Sequence, residues 1–592
     1  MGSVNSDPIT LEVVHNALLM SAMEMKGVAV RTAYSSLWKE AGDLSCGILT
    51  KRGEIVAQGL GDIPVHMASM PRSLQGCLAK ISAEELEPGD ILWQNDPYQG
   101  NNHLPDFFMA APVFADSLLI GFAAVRGHYV DVGGMGPGSY SAITRDIHGE
   151  GVRIPPIRLY RRGELNHEIL DIFLSNVRNP DMRMGDLRAQ YAGCHTGRRS
   201  LERLAAKYGA QQLMDLMEEI LNHSEALTRA QIKKFPPGRY EFVDYCDVQG
   251  EPIRIQVAVS ISGDTLMVDF TGSDPEGPHG MNCPLTVAAT ATYYAVKCIT
   301  DPQSPANSGC YRPIRIIAPE GSVVNCRYPR SVILGNHETA ARIVDAILGA
   351  LAPAIPNRVV AAGCGTSGPL VVAGRDPRER PFDSEFIWIE TGGGGQGAAL
   401  RKDGVAGTRV NVGNTGNTPI EAIEIDFPIL NLAYELVQDT GGPGMFRGAC
   451  ALRRTFVIKA EQPVLTVSYE REHFAPYGLF GGQPGSPARF TLSHNGTTER
   501  IPSKTLPMPV GCGDTVSVQC AGGGGVGDPR QRDPAFVLAD VQGGYVSRAA
   551  AEDVYGVVLV DEVGGLRVDA EATRHLRSTS GIISASVPSS SG

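Results

Sequence analysis

Apolar residues at Ile9, Val13, Leu18, Met20, Met23 and Val28 recur at mostly helical spacing behind Ser6-Asp7-Pro8, a polar cap followed by an early proline. A first helix over residues 9–34 is expected. From Leu44 to about Val132 the pattern changes to short apolar runs split by Gly, Pro and Asn, with Arg52-Gly53 in GILTKRGEIVAQ as a hairpin turn. This stretch reads as sheet. Between Asp181 and Phe235 the apolar set Leu187, Leu201, Leu204, Leu213, Leu216, Met217 and Leu221 predicts helices interrupted at Gly209 and stopped by Pro236-Pro237-Gly238. The runs YEFVDYCDV, IRIQVAVSI and TLMVDFTGS then form a meander, and LTVAATATYYAVKCI and ETAARIVDAILGALA predict two more helices. Beyond them strands alternate with glycine clusters. The expected class is a multi-domain α+β fold with mixed or antiparallel sheets and helical segments. It divides into an N-terminal α+β region over 1–235, a β-rich α+β region with glycine-rich loops over 236–580, and a flexible tail over 581–592.

One segment combines this patterning with chemistry. From His103 to Asp131 the chain reads HLPDFFMAAPVFADSLLIGFAAVRGHYVD, two apolar runs joined by Ala115-Asp116-Ser117, which predicts a hairpin with polar ends. If Phe114 pairs with Leu118, His128 falls opposite Leu104 and close to both His103 and Asp106. Two imidazoles and one carboxylate suit a divalent transition metal, either Zn, Mn or Fe, and hydrolysis through a metal-activated water. Pro112 predicts an edge or bulge that leaves the hairpin mouth open. Asp96 and Asp131 are candidates for orienting the histidines or moving protons, and Glu150, near His148, for a general base.

Composition narrows the partners. The 592 residues are 43% hydrophobic, enough for about four domain-sized units by the usual prior of roughly 150 residues each. A net charge of −12 without a Lys/Arg run excludes nucleic acid and anionic membrane as expected partners. MGSVNSDPIT lacks a leader pattern and no stretch approaches the roughly 18 apolar residues of a membrane span, so a cytoplasmic location is expected. The 12 cysteines show no CxxC and read as small buried hydrophobes, although Cys283, Cys310 and Cys326 lie in loop-like surroundings. Walker, GxSxG and HExxH signatures are absent. Gly392-Gly394-Gly397 and Gly522-Gly524-Gly527 match GxGxxG, but neither leads into a convincing helix. They are expected to be tight turns or close backbone approaches, and no nucleotide-binding residue is assigned.

Ordered blocks along nearly the whole chain carry a resemblance. They include NDPYQGNNHLPDFFMAAPVF, VRGHYVDVGGMGPGS, NVRNPDMRMGDLRAQ, ILGNHETAARIVDAIL, GGPGMFRGA, EREHFAPYGLFGG and AGGGGVGDP. The chain resembles the hydantoinase B/oxoprolinase family, which also includes ketone carboxylase large subunits. The resemblance implies a metal site at His103, Asp106 and His128, and a hydantoinase A-like ATPase partner that holds ATP and Mg. It further implies a heterotetramer of two A and two B chains. The implied reaction is opening of a small cyclic amide, either a hydantoin, 5-oxoproline or another lactam, after the partner phosphorylates it. A carboxylase subunit and a non-catalytic scaffold are the alternatives. Two departures stand out: Tyr129 replaces a histidine common in relatives, and His337 replaces a common valine.

Overall fold

The computed structural model describes residues 7–579 apart from 143, 249–251, 379–384 and 410, so the expected tail over 581–592 lies outside the described residues. The first helix, Pro8–Thr32, starts where the sequence says, with the Asp7 carboxylate accepting from the amides of Ile9 and Thr10. Its buried side, with Val14, Leu18, Met25 and Ala29, packs on the long helix Pro180–Tyr208. That helix ends at Gly209, whose positive φ of 87° turns the chain into the next helix, Ala210–Ile232.

These helices cover one face of a seven-stranded antiparallel sheet. Its strands are β1 (Leu44–Thr50), β2 (Ile55–Gln58), β3 (Ile91–Gln94), β4 (Asp106–Ala115), β5 (Leu118–His128), β6 (Ile157–Arg161) and β7 (Glu164–Leu165), in the order β2-β1-β5-β4-β3-β6-β7. Phe107, Met109, Val113, Ala123 and Val125 face the long helices, whereas Phe108, Ala110, Phe122 and Ala124 pack with Met70 and Leu74 of the helix Ser69–Lys80. Burial on both faces explains why β4 and β5 read as unbroken apolar runs.

The hairpin forms, with a different register from the expected one. Its turn has two residues, Asp116 and Ser117, both at positive φ (51° and 64°), so Ala115 pairs with Leu118. A bulge between Val113 and Phe114 shifts the pairing again, and His128 lands directly opposite Asp106 instead of Leu104. Pro112 sits beside that bulge as expected, past Ala110 where the pairing of β4 with β3 ends, but at the turn end of the hairpin and not at the His103–His128 end.

At Gly238 the chain changes from helix to strand as expected, giving β8 (Gly238–Cys246), β9 (Ile253–Ser262), β10 (Thr265–Asp269) and β11 (Ile314–Ile317), the last parallel to β10. The apolar cluster nevertheless continues across this point, from Val14 to Val412. The helices Leu285–Thr300 and Ala340–Leu351 form as expected, the second preceded by a wide π-turn over Gly335–Thr339. A separate core around Trp388, Phe456 and Phe490 supports two further sheets. The glycine clusters are close approaches. Gly523 donates to Ala449 and accepts from Gly442, and a Cβ on Gly523 would lie 1.9 Å from the Gln396 carbonyl. No described cysteine is in a disulfide, and Cys283, Cys310 and Cys326 are buried.

Candidate metal centre

Two asparagines build the loop that carries His103 and Asp106. Asn101 Nδ2 donates to the carbonyls of Asn95, His103 and Asp106, and Asn95 Nδ2 donates to Leu104 and Val152. Asp106 then opens β4 opposite His128, the last residue of β5. Trp38 Nε1 donates to the His128 carbonyl at 2.8 Å, and its ring occupies the space that a side chain at Gly127 would need.

His103, Asp106 and His128 are all buried, and each offers a ligand atom within 4.8 Å of the others. His103 Nδ1 lies 3.3 Å from the Ile333 carbonyl, which leaves Nε2 facing Asp106 Oδ1 at 3.2 Å. Asn336 Nδ2 also reaches His103 Nε2, at 3.2 Å. Asp106 Oδ2 meets His66 Nε2 at 3.5 Å and Asn102 Nδ2 at 3.3 Å. Among the described residues, Asp106 Oδ1 and His128 Nδ1 are buried without a hydrogen-bond partner. Orphaned acceptors of this kind demand an explanation, and a cation between them supplies one. The donor set therefore fits a divalent transition metal.

Electrostatics agree. Burial opposes ionisation of Asp106, but the imidazoles of His103 and His66 outweigh it and hold the carboxyl well below the usual range. Burial, reinforced by His103, pushes His128 down to about 3, so its ring is neutral at physiological pH. Burial also lowers His103, yet Asp106 reverses this and raises it overall.

The cluster opens on a small cavity whose lining includes Asp43, His66, Tyr140, His337, Arg409 and Gly413. Ile63, Val65 and Ile389 give it apolar walls. Burial raises the Asp43 carboxyl to about 6, and it lowers His337 against the pull of Glu338. Arg409 Nη1 is anchored on the carbonyls of Ser367 and Gly392, while Nε and Nη2 lie over Gly413, where a Cβ would come within 3.1 Å of each. Asn411 and Val412 beside it have positive φ (49° and 39°), a costly conformation for β-branched valine.

The other candidates from the sequence lie apart from the cluster. Asp96 caps the turn Pro97–Gln99 and faces Arg153 at 3.8 Å. Asp131 accepts from the amides of Gly133, Gly138 and Arg178 and pairs with the Arg178 guanidinium. Glu150 acts at one remove: it accepts from Ser331 and from the amides of Val332 and Ile333, bracing the segment whose carbonyl holds His103. Burial raises its carboxyl to about 7. His148 sits beside Tyr328 at the surface. Tyr129 points to the opposite face of the sheet, stacked on Phe107 and donating to Gln190. Sequence reasoning missed His66, Tyr140 and Arg409, which carry no local motif. His337, which stands out in the sequence as a replacement for valine, lies on the π-turn that opens the helix Ala340–Leu351 and lines the cavity.

A family model described as Hydantoinase B/oxoprolinase matches residues 7–529. The B-type chain of a putative D-/L-hydantoinase from Pseudomonas sp. (strain NS671) is 30% identical over 590 residues, covering 96% of this chain and 98% of its own. The crystal structure of ATP-dependent caprolactamase from Pseudomonas jessenii is similar with a TM-score of 0.89 at 29% identity, over 97% of this chain and 100% of that one. Nucleotide-free acetone carboxylase shares the fold, with a TM-score of 0.90 at 22% identity over 97% of this chain and 83% of that one.

Proposed function

The chain belongs to the hydantoinase B/oxoprolinase family, and on that footing we propose that it is the B-type component of an ATP-dependent cyclic amide hydrolase. Its substrate is a hydantoin, 5-oxoproline or another lactam, phosphorylated on the ring carbonyl oxygen by an A-type ATPase partner. The two kinds of chain work together in the cytoplasm as a heterotetramer of two A and two B chains. Relatives whose names mark them as one component of a larger enzyme support the pairing. The observation that carries the reading is the buried His103, Asp106 and His128 cluster, with two unpartnered acceptor atoms, at the wall of a cavity.

An amide is a poor electrophile, and phosphorylating its oxygen activates the ring carbon: water adds there, the ring C–N bond breaks as its nitrogen takes a proton, and a second water hydrolyses the resulting acyl phosphate to carboxylate and phosphate. When bound, a Zn, Mn or Fe ion supplies Lewis acidity and a nucleophilic water near neutral pH. The chain's own residues do the rest. His103, Asp106 and His128 hold the ion, with His66 and Asn102 fixing the Asp106 oxygen that faces away from it. Ile63, Val65 and Ile389 offer the ring's carbon atoms an apolar wall. Arg409, the one guanidinium among the described residues lining the cavity, binds the phosphoryl oxygens through the edge left clear by Gly413.

The test is reconstitution with an A-type ATPase, ATP and each of 5-oxoproline, hydantoin and caprolactam. Ring opening that needs both proteins and ATP, and that disappears in Asp106→Asn, supports the proposal. Bicarbonate carbon appearing in product would move the assignment to a carboxylase. Undiminished ring opening with Asp106→Asn would make this chain a scaffold.

A further inference from the structure

Four side chains behind the cluster form one continuous hydrogen-bonded line whose polarity can be read from its far end. Glu338 Oε1 accepts from the amides of Ser367 and Gly368 at 3.1 and 3.3 Å, so it is an acceptor whatever the charge on the carboxyl. His337 Nδ1, 3.0 Å from the same oxygen, must therefore carry a proton and donate it. In the neutral ring this leaves His337 Nε2 with a lone pair. Tyr140 Oη lies 3.1 Å from that nitrogen, so its single proton points to His337. The Tyr140 oxygen, 3.2 Å from His128 Nε2, is then left to accept from it. His128 is consequently protonated on Nε2, and its lone pair is on Nδ1, which is buried without a hydrogen-bond partner among the described residues.

We propose that Tyr140, His337 and Glu338 are positioning residues that fix the tautomer of His128, making Nδ1 its metal-binding atom. This rests on the metal reading above for its consequence, though the tautomer itself does not depend on a metal. All four side chains are buried, and His337 and Glu338 sit on the π-turn that opens the helix Ala340–Leu351. The His337→Val change removes the acceptor for the tyrosine proton, which then turns toward His128 and competes for its Nε2. Outer partners of metal-bound histidines typically contribute about 10–100-fold in metal affinity. His337 should act with comparable weight, although it touches no ligand atom of the cluster.

Two measurements on the full-length chain test this. In the zinc-free protein labelled with 15N-histidine, the signal assigned by its loss in His128→Asn should show the Nε2-protonated form. Competition with a chromogenic chelator should show Zn²⁺ binding about 10–100-fold weaker in Tyr140→Phe and in His337→Val. The double variant should be no weaker than the weaker single, because both break one line. His337→Gln, whose amide can donate to Glu338 and accept from Tyr140, should bind nearly as wild type. An Nδ1-protonated His128 in wild type would overturn the proposal, as would undiminished binding in both single variants or losses that add in the double. Wild type showing the Nε2-protonated ring but no Zn²⁺ binding would refute the metal reading while upholding the tautomer line.

Discussion

Among single residues, Asp106 shows how the site divides its work. One carboxylate oxygen is occupied by His66 and Asn102, and the other is left bare toward His103. The tautomer of His66 follows from its neighbour: Ser45 Oγ accepts from the Ile63 amide and donates its own proton to His66 Nδ1, so Nε2–H points to Asp106. His66→Phe should weaken metal binding about 10–100-fold in a chelator competition while leaving the fold intact. An unchanged affinity would remove His66 from the site. Arg409→Met should lower kcat/KM for ring opening of the cyclic amide by at least tenfold, the value of a charge-assisted contact of about 1.5–3 kcal/mol; steady-state kinetics of the reconstituted enzyme give the answer, and an unchanged kcat/KM would remove Arg409 from phosphoryl binding. The short HxxD spacing and the later Gly-His pair made three residues of the site legible. His66, Tyr140 and Arg409 were not, because three distant segments bring them together and none carries a spacing that marks it, while His337 stood out only as a departure from relatives.

Among the elements, the hairpin is the feature the sequence announces most clearly, and its register is the feature it hides. Two apolar runs around a polar turn specify the pairing of β4 with β5. They do not disclose the bulge at Val113 and Phe114, since both faces are buried and no in-out alternation constrains the register. The same double burial makes the hairpin stiff where it matters. Gly127 faces the Trp38 ring so closely that a Cβ would lie 2.0 Å from it, and Trp38 in turn holds the His128 carbonyl. Gly127→Ala should cost about 1–3 kcal/mol in denaturant unfolding through overpacking, and should weaken metal binding as Trp38 is displaced. Full stability in that variant would contradict the packing described.

Across the molecule, a buried ionic network ties distant segments of the region beyond 236 to one another. Arg342 on the helix Ala340–Leu351 pairs with Asp244 of β8 and with Glu470, Lys504 also pairs with Glu470, and Arg471 reaches Asp244 and Asp345. The pattern boundary at 236 marks a change from helix to strand, and the packing that continues across it is apolar, one cluster running from Val14 to Val412. Arg342→Met leaves buried carboxylates uncompensated and should cost about 3–5 kcal/mol. Within the network, burial and then the neighbouring Asp244, only partly offset by Arg342, raise Asp345 to about 7. The folded state therefore holds this proton more tightly than the unfolded chain, where the carboxyl ionises near 3.9. Its contribution to stability is present at low pH and is lost as pH rises from about 4 to about 7. Asp345→Asn should flatten that part of the stability profile in urea titrations at several pH values, and an unchanged slope would show the charge to be well tolerated. Everything proposed for the cavity depends on the metal centre, and elemental analysis of the purified chain beside a His103→Ala/His128→Ala double variant decides whether it exists. Roughly one Zn, Mn or Fe ion per wild-type chain and none in the variant is the expected result, in line with a two-histidine, one-carboxylate site. Wild type that stays metal-free even after incubation with these ions, or a variant that keeps the ion, would contradict it.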